Sequence, residues 1–284
     1  MKKIVVIDSQ RLSTMQACAR KYHWSFDEDW SPSVKPVYFD QGSLIHEMLK
    51  AYYAMKKYRY NWTKNNKTHA DIVDSCIKIG RRLGVRMQLS FDDLELAIKA
   101  IQDYLEFYAD DGWNDILFFE ETASKLMYDS DDLAILYEGK IDLGISIPNC
   151  PLLPVDHKSA KRRQEPDKMS NQFKGYCWLL DVQNIVINAV GMQKTLKSQD
   201  KFQRYTLSYD LDVLEEWKNE AIWWIKHMLA LQEIDFFPMN NTSCNEFAGC
   251  LFRDICSSNL DTREWKLRAR FDKRDTPWDV GGKL

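Results

Sequence analysis

The 284-residue chain has few of the features that mark fibrous, secreted or membrane-embedded proteins. With only 11 glycines and 8 prolines, collagen-like repeats and long low-complexity stretches are excluded. The net charge is −3, so no basic coat is available to hold a polyanion non-specifically. Long hydrophobic runs are missing as well. The opening MKKIVVIDSQ loses its apolar character at Asp8, too early for the apolar region of a signal peptide. The most apolar helical stretch, Ala221 to Leu231, contains Lys226 and His227 and is too short to span a bilayer. A soluble, cytoplasmic protein without a membrane partner is the expectation. No GxxxxGK[ST] phosphate loop and no internal repeat is present. What the chain does have is 45% hydrophobic residues with 10 Trp, 13 Tyr and 13 Phe, ample for a sizeable core.

Seven cysteines, an odd number with no secretion signal, argue against a disulfide framework. Three of them, Cys244, Cys250 and Cys256, fall within CNEFAGCLFRDIC, and Cys18 stands alone near the start. Cys76, Cys150 and Cys177 read as ordinary buried or free thiols.

Leu12, Met15, Cys18 and Tyr22 recur at helical spacing, so Ser9 to Trp24 reads as one helix. After a loop with Pro32 and Pro36, a second helix runs from about Asp40 to Lys57. The stretch from about Asn61 to Asp111 reads as wholly helical, with FDDLELAIKAIQDYLEFYADD strongly amphipathic. Asn114 to Asp129 turns β-rich, Leu133 to Ile147 reads as a strand, PNCPLLP as a turn and PVDHKSA as the next strand. The charged loop KRRQEPDK leads to a helix capped by Ser170 and ending near Val182. NIVINAVGMQK and YTLSYD read as strands, and LDVLEEWKNEAIWWIKHMLALQEI as a long amphipathic helix. The order predicts an α/β fold, with a mixed sheet, one crossover helix and a helical N-terminal elaboration.

Asp156 and Lys158 lie two apart on a strand, so carboxylate and ammonium share one face. Asp142 sits on the preceding strand, which the proline turn folds back alongside. Two carboxylates on neighbouring strands beside a lysine suit a hard divalent cation and an activated water, although Asp–x–Lys is also common on solvated strands. His46, four residues after Gly42 on a helix, has the ordinary reading of a packed helical residue. Gln172 and Tyr176, four apart, share a helical face and could equally serve packing. Glu120 and Glu121, on the strand before this core, could add a carboxylate but read no better than solvated residues. The loop KRRQEPDK carries Lys161, Arg162, Arg163 and Lys168; with Arg253 and the tail TREWKLRARFDKR it could grip a nucleic-acid backbone or simply be solvated.

In their order along the chain these segments resemble the RecB-like PD-(D/E)XK nucleases. The similarity is to the iron–sulfur-bearing branch, which includes the AddB nuclease domain, the CRISPR-associated adaptation exonucleases and stand-alone phage exonucleases. SQRLSTMQACARKYHW looks like the N-terminal helix with the first cluster cysteine, GSLIHEML like the Gly–His helix motif, and EGKIDLGI like the Gly–hydrophobic–Asp motif. PVDHKSA resembles the Asp–x–Lys motif, QFKGY the Gln–x–x–x–Tyr motif, and the clustered cysteines fall where C-terminal cluster ligands belong. One spacing departs from the pattern, because five residues separate Cys244 from Cys250 where AddB-type members have two.

The resemblance implies a restriction-endonuclease-like mixed sheet flanked by helices, in a single domain over residues 1–284. Within it, residues from about 58 to 112 would be a helical insertion, 113–235 the nuclease core, and 236–284 a cluster-binding segment and tail. It implies a metal-dependent deoxyribonuclease, an exonuclease by preference, in replication, recombination or repair-type processing. His46, Asp142, Asp156 and the main-chain carbonyl of His157 would bind one or two Mg²⁺ or Mn²⁺ ions. Lys158 would orient or deprotonate the attacking water, and Gln172 and Tyr176 would position the phosphate. Cys18, Cys244, Cys250 and Cys256 would hold one [4Fe–4S] cluster, with a structural Zn²⁺ as the alternative. The partner would be DNA, as ends or single strands, and any unwinding would come from a helicase or recombination partner. Two other classes stay open at this point: an idle DNA-binding module of the same fold, and a structural iron–sulfur or zinc interaction protein whose acidic residues are ordinary surface.

Overall fold

The computed structural model describes residues 2–34, 37–58, 68–109, 112–113, 115–161, 164–193, 195–245 and 249–274. In chain order the elements are β1 (Lys3–Ile7), α1 (Ser9–Ala17), α2 (Ala19–Tyr22), β2 (Trp30–Pro32), α3 (Val37–Lys57), α4 (His69–Arg86), α5 (Phe91–Phe107), β3 (Asp115–Asp129), β4 (Leu133–Ile147) and β5 (Cys150–Ala160). They continue with α6 (Asn171–Leu179), β6 (Asn184–Gly191), α7 (Ser198–Lys201), β7 (Phe202–Ser208), α8 (Leu211–Glu233), α9 (Arg253–Cys256), α10 (Leu260–Arg270) and β8 (Phe271–Lys273).

The main sheet is mixed and has the order β1-β4-β5-β6-β7, with β3 on the other edge of β4. Alternating valines and isoleucines build its middle, and β6, buried from Ile185 to Gly191, has the near-continuous apolar run of a strand covered on both faces. β3 pairs antiparallel with β4 from Asp115↔Ser146 to Asp129↔Ala134. On the opposite edge β4 has two partners in succession: parallel β1 takes Leu133 to Tyr137, and antiparallel β5 takes Leu143 to Ile147. Residues 138–142 of β4 have no strand on that edge. The crossover from β5 to parallel β6 runs through α6, whose side chains enter this gap.

Helices cover both faces. One core joins α3, α4 and α5 to the sheet through Leu44, Ile45, Met48, Ile101, Tyr104, Leu143, Ile145 and Val155. The other joins α1, α6 and α8 to the sheet through Leu12, Tyr137, Ile141, Phe173, Trp217 and Ile225. Asn171 at the start of α6 ties these helices together. Its amide donates to Ser13 Oγ (2.9 Å) and Gln16 Oε1 (2.7 Å), and its carbonyl oxygen accepts from Trp217 Nε1 (2.9 Å). A third, smaller core of Trp24, Trp30, Phe252, Ile255, Leu267 and Phe271 lies where antiparallel β2 and β8 bring the two ends of the chain together. No helix among the described residues is long and apolar enough to cross a membrane.

The structure corrects three readings of local structure and adds an element, for KIVVI is an edge strand held by its parallel pairing to β4. The helix expected from Ser9 to Trp24 breaks at Cys18, which is extended (φ −168°, ψ 118°), and ends in a π-helical turn, His23–Asp27. The expected proline turn is a two-residue turn at Pro148–Asn149, so β5 starts at Cys150 and not at Pro154; Asn149 takes the left-handed φ of 65° that a tight hairpin needs. The helical stretch after Asn61 is two helices, parted at residues 87–90 where Ser90 caps α5 by accepting from the Asp93 N–H; residues 59–67 and 110–111 lie outside the described ones.

The packing of α6 on β4 is tight enough to test. A Cβ on Gly175 would lie 1.9 Å from the hydroxyl oxygen of the fully buried Tyr137. Gly175→Ala should therefore cost at least ~1 kcal/mol of unfolding free energy despite alanine's better helix propensity, as overpacked cores do. Adding Tyr137→Phe should restore part of the loss; urea denaturation of the two variants checks it, and an unchanged midpoint for Gly175→Ala would show the contact to be slack.

Candidate functional site

Beyond Leu143↔Val155 the strands β4 and β5 diverge, and the opening between them is polar. The His157 N–H has no strand to pair with on that side and donates instead to Asp142 Oδ2 at 2.7 Å. Asp156 points to the α6 side and is almost wholly buried. Its Oδ1 accepts from Gln172 Nε2 at 2.9 Å, and Oδ2 takes no hydrogen bond but faces the Lys158 ammonium at 2.6 Å. Lys158 itself is half-exposed, with its ammonium 5.7 Å from the ring centroid of Phe173. From the other layer His46, on α3, brings Nδ1 to 3.3 Å from Asp142 Oδ2. α3 can come this near β5 because Gly42 faces Ser159, whose Oγ would be 3.4 Å from any added Cβ.

Gln172 also donates to Tyr176 Oη (2.9 Å), and Tyr176 donates to the main-chain oxygen of Lys140 (2.6 Å), so the pair closes the unpaired edge of β4. Its phenol stays a neutral donor, because burial and then the Asp156 and Asp142 charges push its pKa well above the ordinary value.

The electrostatics separate the two aspartates. Burial works against the charged form of Asp142, yet the charge and hydrogen bond of His46 and the N–H of His157 outweigh it and hold this carboxyl well below the usual range. Asp156 goes the other way: burial pushes it up to about 6 against the pull of Lys158, and the Asp142 charge adds to the rise. Burial lowers His46, but Asp142 and then Asp156 more than compensate, so its pKa is raised. The His157 imidazole is on the opposite face of β5 from Asp156, and burial drives it down to about 3, so it is neutral.

Glu120 was read as solvated, and the structure corrects that. The long β3–β4 register sets it directly across from Asp142, and its side chain is nearly buried. Ligand atoms of His46, Glu120 and Asp142 lie within 4.8 Å of one another, and Lys140 pairs with Glu120. Two carboxylates and an imidazole, with the buried Asp156 carboxylate close by, are a donor set that fits a divalent cation. Glu120 sits in the left-handed region (φ 50°) in the middle of a strand, a conformation that costs a non-glycine residue about 1–2 kcal/mol. Glu121 is exposed. The sequence signal for Glu120 was its place on the strand before that of Asp142; its register against Asp142 appears only in the fold.

The four cysteines are about one cavity of about 320 Å³, distant in sequence but brought together by the break at Cys18. Burial pushes the Cys250 and Cys256 thiols up, and neighbouring thiols, Cys18 among them, push in the same direction. Asn240 N–H reaches Cys18 Sγ at 3.5 Å, and Cys250 N–H donates to the Cys244 oxygen at 3.0 Å. The remaining cysteines are elsewhere: Cys76 donates to the Met48 oxygen (3.0 Å) and Cys150 to the Leu152 oxygen (3.3 Å), while Cys177 is in the α6 core. Of the basic loop, Lys161 and Lys168 are exposed, and Arg162 and Arg163 lie outside the described residues. Several bases of the tail are already paired, Arg268 with Glu264, Arg270 with Asp254 and Arg274 with Asp29.

Residues 9–257 match the family model of the PD-(D/E)XK nuclease superfamily, and the chain belongs to that superfamily. Membership implies metal-dependent nuclease activity, with DNA the expected substrate. No curated protein matches the chain. Among solved structures it is similar to the crystal structure of SSO0001, with 12% sequence identity and a TM-score of 0.38 over 92% of this chain and 90% of that one.

The left-handed backbone at Glu120 separates strain from ligation. Glu120→Gly and Glu120→Ala both remove the carboxylate, and only glycine relieves the backbone, so Glu120→Gly should be the more stable by about 1 kcal/mol. Both should bind Mn²⁺ more weakly than the parent. Thermal melts and Mn²⁺ calorimetry check this, and wild-type Mn²⁺ affinity in either variant would remove Glu120 from the centre.

Proposed function

We propose that the protein is a Mg²⁺- or Mn²⁺-dependent deoxyribonuclease of the RecB-like, iron–sulfur-bearing branch. It acts as an exonuclease on DNA ends or single strands in replication, recombination or repair-type processing, as phage exonucleases do, beside a helicase or recombination partner. The observation that carries this reading is the single opening between β4 and β5 in which Asp142, Asp156, Lys158, His46 and Glu120 converge.

His46, Asp142, Asp156 and the His157 carbonyl are the proposed metal ligands, with Glu120 added. Bound there, a divalent cation would lower the pKa of a water and neutralise phosphate charge. The chain's own groups do the rest. Gln172, anchored on Tyr176, holds Asp156, and the two side chains frame the path of the phosphate. Lys158, half-exposed at the opening, orients the attacking water and offsets charge as the phosphorus becomes five-coordinate. Lys161, Arg162, Arg163 and Lys168 are the proposed backbone contacts.

Asp156→Ala should abolish cleavage, and Lys158→Ala should slow it on the order of a hundred- to ten-thousand-fold. End-labelled single- and double-stranded DNA with Mg²⁺ or Mn²⁺ is the assay, with circular DNA surviving if the enzyme needs ends. Near-normal turnover by Asp156→Ala would place the site elsewhere.

The proposed cluster is one [4Fe–4S] on Cys18, Cys244, Cys250 and Cys256. The resemblance favours it over zinc, and the four thiols line one cavity that can take a metal centre. Anaerobically purified protein should be brown with close to four irons per chain, and Cys18→Ser should bleach it and lower its melting temperature. Replacing Cys76, Cys150 or Cys177 should leave the colour. Colourless protein with one zinc would keep the staple and discard the cluster.

A further inference from the structure

Three polar side chains stand in one row across the middle of the sheet. His157 on β5 is in register with Asn188 on β6, and Asn188 with Arg204 on β7. All three face the layer of α3 and α5. Asn188 is fully buried between Ile187 and Ala189, and its Nδ2 is 2.8 Å from His157 Nδ1. Tyr53 lies parallel to the same imidazole, with ring centroids 5.6 Å apart and planes 6° apart. The Tyr53 hydroxyl meets that of Tyr104 at 3.1 Å, Arg204 donates to the Tyr104 hydroxyl at 3.1 Å, and the guanidinium stacks 3.4 Å over Trp113.

This arrangement is expensive for packing alone. A buried amide is costly unless fully bonded, and Asn188 Oδ1 has no hydrogen-bond partner. A leucine would fill the same volume without that cost. What the amide adds is direction: with Asn188 at its edge and Tyr53 on its face, the His157 ring has one orientation. The backbone of that residue joins Asp156 to Lys158, and its N–H fixes Asp142. We propose that Asn188 and Tyr53 are positioning residues, which hold His157 and through its backbone set the metal-binding geometry of Asp142, Asp156 and the His157 carbonyl. The proposal rests on the metal-centre reading above. Neither residue touches a reacting atom.

The test is Mn²⁺ calorimetry on the full chain as wild type, Asn188→Leu, His157→Phe and the double variant, with thermal melts alongside. Asn188→Leu removes the donor and keeps the volume; His157→Phe keeps a ring on Tyr53 and loses Nδ1. Each single variant should bind Mn²⁺ about 10- to 100-fold more weakly, the usual effect of losing a partner behind the ligands. Asn188→Leu should melt no lower than wild type, and the double variant should bind no more weakly than the weaker single, because the pair acts as one unit. If wild type binds Mn²⁺ and either single variant binds it equally well, the positioning role is overturned while the metal centre stands. If wild type itself binds none, both fall. Should Asn188→Leu not fold, His157→Phe decides alone.

Discussion

The hydrogen bond from the His157 N–H to Asp142 organises the site, because it exists only where the sheet stops being a sheet. A central strand normally uses each N–H in the ladder, and a buried N–H left over is costly. β4 divides one edge between β1 and β5, which leaves a stretch that no strand covers. A carboxylate on β4 satisfies one leftover donor, and a tyrosine from α6 satisfies the Lys140 oxygen. The polar groups required to end the pairing are therefore the ones that gather at the opening. Structure and site have a common cause there, and removing Asp142 would disturb both.

That cause explains which parts could be read from sequence. Asp156 and Lys158 were legible because side-chain alternation on a strand is a local rule, and Gln172 with Tyr176 because four residues is one helical turn. Glu120 was not, since its place depends on a β3–β4 register running over both strands and on a backbone angle that sequence does not announce. Asn188 drew no reading of its own in the apolar strand NIVINAVG, because its place beside His157 appears only once β5 and β6 are side by side. Cys18 was legible as a residue but not as a break, because ARKY after it continues the helical pattern of SQRLSTMQA before it.

The break at Cys18 has its own partners. A helix that stops leaves carbonyls without donors, and here Ala17 O accepts from Asn240 Nδ2 (2.8 Å) and from Ser243 Oγ (2.9 Å). Two residues on, Arg20 donates from its backbone to the Pro238 oxygen (3.3 Å) and from Nε to the Phe237 oxygen (3.2 Å). With β2 on β8, the C-terminal segment is bound to the N-terminal one by hydrogen bonds that involve no cysteine. Closing so long a loop costs entropy that grows only slowly with its length, and these contacts already meet part of that cost. A cluster on the four thiols would reinforce a closure that the polypeptide begins by itself.

A chain with net charge −3 must still approach a polyanion, and the site shows how. Each of its carboxylates faces a cationic group: Asp142 faces His46, Asp156 faces Lys158, and Glu120 faces Lys140. On the proposed reading His46 is neutral as a ligand, because only the unprotonated imidazole can bind a metal. Three carboxylates set against two ammonium groups and one divalent cation leave a single positive charge, which matches one phosphodiester. The cation is thus what turns the opening attractive. Several bases of the C-terminal tail are held in internal pairs with Glu264, Asp254 and Asp29, which leaves the proposed contacts of the basic loop to meet the backbone while one phosphate reaches the metal.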